Sequence, residues 1–150
     1  MRAPQLLTDI AIDVHHRELR PVYRINTQRK WVLGGEALAL DMATISDRDN
    51  LGQAIIIRLL TPRGELAALG HPQYGSRLHE IAGRTNTAST RDLARLYILE
   101  SLQQEVRIDT IESVAITPSP GRRSSIDVSI GVRPLGAVET LTIGPIVLEI

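Results

Sequence analysis

Ser125-Ile126-Asp127-Val128-Ser129-Ile130-Gly131-Val132-Arg133 is the stretch that decides the fold class of this chain. Ile126, Val128, Ile130 and Val132 hold every second position, with Asp127, Ser129 and Gly131 between them. Successive side chains of a strand point to opposite faces, so this alternation predicts a strand with one face on a core. Working outward, residues 108–117 predict a second strand, ended by Pro118-Ser119-Pro120-Gly121. Residues 138–150 predict a third, interrupted at Gly144-Pro145 and containing Leu141 and Ile143. The Pro- and Gly-rich turns between them favour antiparallel hairpins. Proline cannot donate to a ladder, so Pro145 places the last strand at or near a sheet edge.

Upstream the period changes. Ser46-x-x-Asp49 has the spacing of a helix start and predicts a helix over 49–60, stopped by Pro62. Residues 61–76 hold Pro62, Gly64, Gly70, Pro72 and Gly75, a loop-rich connector with one helical turn at 65–69. A short helix over 77–82 is expected to end at Gly83. Ser89-x-x-Asp92 predicts a second long helix over 90–105. Its Leu93, Ala94, Leu96, Tyr97, Ile98, Leu99 and Leu102 run most of the way round, which predicts burial on more than one side. The expected fold is α+β, with helices packed on a mainly antiparallel sheet over residues 46–150. Residues 1–45 predict a β arm or meander. Within it residues 5–14 alternate, 15–18 form a polar turn, and 21–25 and 36–42 are further strands around Gly34-Gly35.

Composition narrows the function. The 150 residues suit one domain, and with 43% hydrophobic residues but no Phe and one Trp the core must be aliphatic. Seventeen basic residues balance 17 acidic ones, leaving no basic excess to displace counterions from nucleic acid. Every basic residue but Lys30 is Arg, which suits bidentate pairing at crowded interfaces and is also what a GC-rich genome encodes. The absence of cysteine excludes disulfides and thiolate metal sites. His15, His16, His71 and His79 lack the helix-face spacing of metal ligands, so neither metal nor cofactor is expected. No apolar run approaches the roughly 18 residues of a membrane span, and no signal peptide opens the chain, so no membrane partner and a cytoplasmic site of synthesis are expected.

Three pieces, in order, resemble one family. They are Leu59-Leu60-Thr61-Pro62-Arg63-Gly64-Glu65-Leu66, then His71-Pro72-Gln73-Tyr74-Gly75-Ser76-Arg77-Leu78, then Glu105-Val106-Arg107. Over roughly residues 45–150 the chain resembles the small baseplate wedge protein, or sheath initiator, of contractile phages, injection particles and type VI secretion. The resemblance implies a sheath-protein-like core and a non-enzymatic structural role. It implies that Glu105 and Arg107 tie the subunit to two larger wedge proteins. It also implies that the sheet carrying Ile126, Val128, Ile130, Val132, Leu141 and Ile143 receives strands from the first sheath ring. Pro62, Gly64, His71, Pro72, Tyr74 and Gly75 would shape a structural loop. Tube or hub proteins would be further neighbours in a sixfold assembly. The family pattern at the third piece is Glu-Pro-Arg; Val106 stands where the proline would be. The β-rich first third resembles the type VI branch less.

Residues two apart on a helix face different ways. Glu105 and Arg107 are therefore expected to straddle the end of the second helix, each reaching a separate partner and mattering more to assembly than to the subunit's own fold. An older description of the family as lysozyme-like raises peptidoglycan hydrolysis as an alternative. That chemistry needs two carboxyls across a cleft, one with a raised pKa. Glu65, Glu80, Glu100 and Glu105 are the candidates, but with three Tyr and one Trp there is little surface on which to stack sugars. A free-standing binding module is the third reading.

Overall fold

The computed structural model describes residues 7–15, 22–31 and 38–150. Its frame is α+β. A three-stranded antiparallel sheet, β7 (Ile108–Pro118), β8 (Ser125–Pro134) and β9 (Leu141–Glu149), has β8 at its centre. Two long helices pack with it, α1 (Asp47–Leu60) and α2 (Ala88–Leu102). The alternation in β8 is realised: Ile126, Val128, Ile130 and Val132 are all at most 1% exposed. They meet Leu51, Ile55 and Leu59 of α1, Ala94, Ile98 and Leu102 of α2, and Ile143, Ile146 and Leu148 of β9. Each such aliphatic side chain stabilises the fold by about 1.5–3 kcal/mol before chain entropy is counted. Gly144-Pro145 is a cis peptide and does not end β9; the ladder with β8 shifts register across it and continues.

Both helices begin differently from expectation. The cap of α2 is Thr87, not Ser89: its Oγ accepts from the Thr90 amide at 3.2 Å and also meets the Thr90 hydroxyl. Ser89 lies inside the first turn. Ser46 precedes α1 but makes no side-chain cap bond. The second helix also stops at Leu102, one turn early. Its buried residues Thr90, Ala94, Tyr97, Ile98, Ser101 and Leu102 fall on one stripe, while Leu96 is half exposed. Burial is thus confined to one broad face rather than extending around the helix. The two short helical segments of the connector are 3₁₀ turns at Ala67–Leu69 and Leu78–Ile81.

The expected single strand over 5–14 is two short ones, β1 (Asp9–Ile10) and β2 (Ile12–His15), so His15 ends a strand rather than opening a turn. β3 (Val22–Ile25) and β5 (Leu38–Met42) match expectation; β4 (Thr27–Trp31) and β6 (Thr44–Ile45) lie where no strand was predicted. The turn expected at Gly34-Gly35 lies outside the described residues. Three two-stranded ribbons result, β1–β6, β2–β3 and β4–β5. They meet at a closed ring of backbone bonds. The Ala11 amide donates to the Ala43 carbonyl at 2.8 Å, Ala43 to Asn26 at 2.8 Å, and Asn26 to Ala11 at 2.9 Å. Each pass of chain changes partner at this node.

Side-chain amides fasten the node to α1. Gln53 donates to the Ile10 carbonyl at 2.9 Å and accepts from the Ile12 amide at 2.8 Å, and Asn50 donates to the Leu7 carbonyl. One helical turn of α1 thereby reads six residues of extended chain. Both amides are buried yet satisfied, as buried polar groups must be.

Candidate functional site

The connector between α1 and α2 is held by its neck. Ser76 forms a parallel bridge with Pro62, its amide donates to the Thr61 carbonyl at 2.8 Å, and its carbonyl accepts from Arg63 at 2.8 Å. The Ser76 hydroxyl donates to the Leu59 carbonyl, and the Ser101 hydroxyl reaches the Gly75 carbonyl at 3.1 Å. Gly75 has φ +103, and a Cβ there would collide with the Thr61 and Pro62 carbonyls. Only glycine fits this crossing. Gly64, also at positive φ, has no such crowding; His71 and Pro72 are exposed. Tyr74 lies against Arg58 of α1, the guanidinium 4.5 Å from the ring centre.

That contact leads to Glu105. Helix α2 ends before it and β7 begins after Arg107, so the residues between form a turn. Turn geometry lets the two side chains meet: Arg107 Nε donates to Glu105 Oε1 at 2.7 Å and Arg107 Nη2 to Oε2 at 3.2 Å. Arg58 adds a third bond at 3.2 Å. The expectation of separate partners is corrected here, because the incompatibility of positions two apart applies only within a helix, and none remains at this point. Glu105 is 6% exposed, whereas the intervening Val106 is 83% exposed. Burial by itself raises the Glu105 carboxyl, but the Arg107 hydrogen bond and the charges of Arg107 and Arg58 outweigh it and hold the group below its ordinary value. Burial beside these charges pushes the Tyr74 hydroxyl upward.

A second cluster lies on the other flank of the connector. Arg77 grips Glu80 with both ends of its fork, at 2.8 and 2.9 Å, and covers the Tyr97 ring at 4.4 Å. The Tyr97 hydroxyl donates to Glu80 at 2.9 Å. The Arg77 hydrogen bond first, and the Tyr97 one second, lower the Glu80 carboxyl to about 2. Glu100 pairs with Arg63 at 3.5 Å and lies 4.0 Å from Arg77. Glu65 is exposed. The lowered carboxyls of Glu80 and Glu105 are the reverse of the raised group that acid catalysis of glycoside cleavage calls for.

No protein-family model, curated protein or solved structure matches this chain.

The sheet residues divide by strand. β8 has neighbours on both sides, so Ile126, Val128, Ile130 and Val132 serve the core and their strand cannot accept another. Strand addition is open only to the flanks. On β7 the Val114 carbonyl is already taken by Arg95 of α2, at 3.2 Å. β9, with Leu141 and Ile143, pairs only with β8 among the described residues. Beside it runs a groove of about 440 Å³, lined chiefly by Ile12, Ile45, Gly52, Ile56, Leu141 and Ile143. Sequence reasoning missed Arg58, Asn50 and Gln53, all on α1. The only signal was their polarity on a helix flanked by aliphatic residues. Among the described residues no three His, Asp or Glu gather as metal ligands would, and no helix is long and apolar enough to cross a membrane.

Proposed function

We propose that this chain is a non-enzymatic baseplate subunit of a contractile tail or injection machine, joining the larger wedge proteins and templating the first sheath ring by strand addition. The observation that carries the reading is the outer edge of β9. It presents backbone donors and acceptors next to a groove of mostly aliphatic lining rimmed by Asp13, Arg48 and Asp49, the combination that an added strand needs: a ladder for affinity and a trough for alternate side chains. Pro145 interrupts that edge and limits the length of any added ladder. The Glu105–Arg107 turn, with Val106 standing out from it, is the matching candidate for wedge contact, since the resemblance assigns that motif to the wedge proteins and the turn reaches solvent at Val106.

The test is electron microscopy of contractile particles from cells encoding this chain. The expected result is sixfold density for the subunit at the baseplate, with a sheath-derived strand on β9. A subunit absent from the particle, or a sheath that rests only on the helices, overturns the reading. So does release of muropeptides from peptidoglycan by the purified chain, if the release disappears in Glu80→Gln or Glu105→Gln.

A further inference from the structure

A second surface lies at the opposite end of α2 from Glu105. A cleft of about 520 Å³ opens between the loop that enters α2 and the turn joining β7 to β8. Arg91, Arg122 and Arg123 line it together with Thr85, Asn86 and Ser119, and no acidic residue is among its walls. This departs from the rest of the molecule. Arg48, Arg58, Arg63, Arg77, Arg95, Arg107 and Arg133 each make an ion pair with a carboxylate of this chain. Arg91, Arg122 and Arg123 make none among the described residues; Arg122 and Arg123 are exposed, and Arg91 is held by the Asn86 side-chain oxygen at 2.7 Å. Asn86 is itself anchored, donating to the Ser125 carbonyl at 3.0 Å. The first turn of α2 carries no acidic residue, in contrast to α1 with Asp47 and Asp49. In a chain of zero net charge, three of the described arginines that make no ion pair with a carboxylate thus line one cleft, while Arg24 and Arg84 lie outside it.

We propose that this cleft is a docking site for an acidic peptide segment of a partner protein. Guanidinium forks match carboxylates two bonds at a time, and Arg91 is already fixed in position by Asn86. Thr85 and Asn86 add neutral polar groups around the charges, while the Ser119 hydroxyl already donates to the Asp127 carboxylate. A nucleic acid fits less well, because tracking a phosphate backbone takes a basic stripe, and apart from these three arginines the 17 acidic residues of the chain outnumber its basic ones. The site is independent of β9 and of the Glu105 turn, so it stands or falls separately from the baseplate reading.

Binding of a fluorescent oligoglutamate peptide to the full chain, followed by anisotropy, tests it. The wild type should bind at low salt and weaken as salt rises, and an oligoglutamine peptide should not bind. The double variant Arg122→Glu/Arg123→Glu should lose roughly tenfold or more in affinity, as expected when charge-assisted pairs are reversed. Arg24→Glu, an equal kind of charge change at an exposed residue of β3, should leave binding unchanged. A matching thermal melt for the double variant establishes that its fold is intact. Three outcomes overturn the proposal: no binding of oligoglutamate, equal losses in Arg24→Glu and the double variant, or a single-stranded oligonucleotide that binds the cleft more tightly than the peptide.

Discussion

Two arginine–tyrosine–glutamate clusters flank the same connector and differ chiefly in their exposure to water. In one, Arg58 stacks on Tyr74 and, with Arg107, encloses Glu105, whose side chain is 5% exposed. In the other, Arg77 stacks on Tyr97 and grips Glu80, with both charged side chains more than a third exposed. The bond lengths are alike, and Glu80 has the shorter pair of bonds to a single arginine. Geometry alone would rank them equally. Solvent ranks them differently: an exposed pair is screened and contributes little, while removing one member of a buried pair leaves an uncompensated charge. The comparison also separates two roles. The Glu80 cluster ties the end of the connector to Tyr97 of α2, whereas the Glu105 cluster joins three parts of the chain: α1, the connector, and the turn into β7.

The severest way to break the comparison is to remove what both clusters share. Gly75→Val places a side chain against the Thr61 and Pro62 carbonyls at a φ that valine resists, and should cost about 3 kcal/mol or more in a urea unfolding experiment. A near-neutral result would mean that the neck of the connector does not position either cluster. Next comes Glu105→Gln, which leaves Arg58 and Arg107 facing a neutral amide. Because Glu105 is buried, a loss of about 2–4 kcal/mol is expected, with Arg107→Ala somewhat milder since Arg58 still compensates the carboxylate. Unchanged stability in both variants would return the pair to the role expected from sequence, in which it serves other chains and not its own.

Acid sharpens the contrast further. Both carboxyls are depressed in the fold, so each contributes stability above the unfolded carboxylate value of about 4.3 and loses it as pH falls through the folded value. For Glu80 that window runs from the unfolded value down to about 2. Midpoints measured from neutral pH downward should fall for the wild type and fall less for Glu105→Gln. Added salt should erase the Glu80 share and spare the Glu105 share, since buried pairs are screened less. An acid limb of unchanged slope in Glu105→Gln would contradict its lowered carboxyl. The smallest effect belongs to Glu80→Gln, which should melt within error of the wild type at neutral pH; a loss comparable to that of Glu105→Gln would erase the distinction.

Much of the framework is legible along the chain because its causes are local. The period-two run over residues 126–132 yields β8 whatever surrounds it, and Pro62 ends α1 through its own ring. The strand endings near Pro118 and Pro134 follow the same logic. The β4 and β6 segments escaped detection because Thr27-Gln28-Arg29-Lys30 has no alternation and Thr44-Ile45 is too short to show one; each is a strand only because the node hands it a partner. The start of α2 was misplaced for a related reason, since Ser-x-x-Asp is satisfied by spacing alone while Thr87 holds the cap; Ser46 does stand at the N-cap of α1, without a side-chain bond.

The α+β class, the alternating strand over residues 126–132 and the aliphatic core could be read along the chain, because each depends on composition or on residues a few positions apart. Where the chain returns in space sets the pairing of Glu105 with Arg107, the arrival of Arg58 from 47 positions away, the approach of Gly75 to the Thr61 and Pro62 carbonyls, and the placing of β7 and β9 as the two flanks of the sheet. Charge or polarity at a position does not encode the partner that will arrive there.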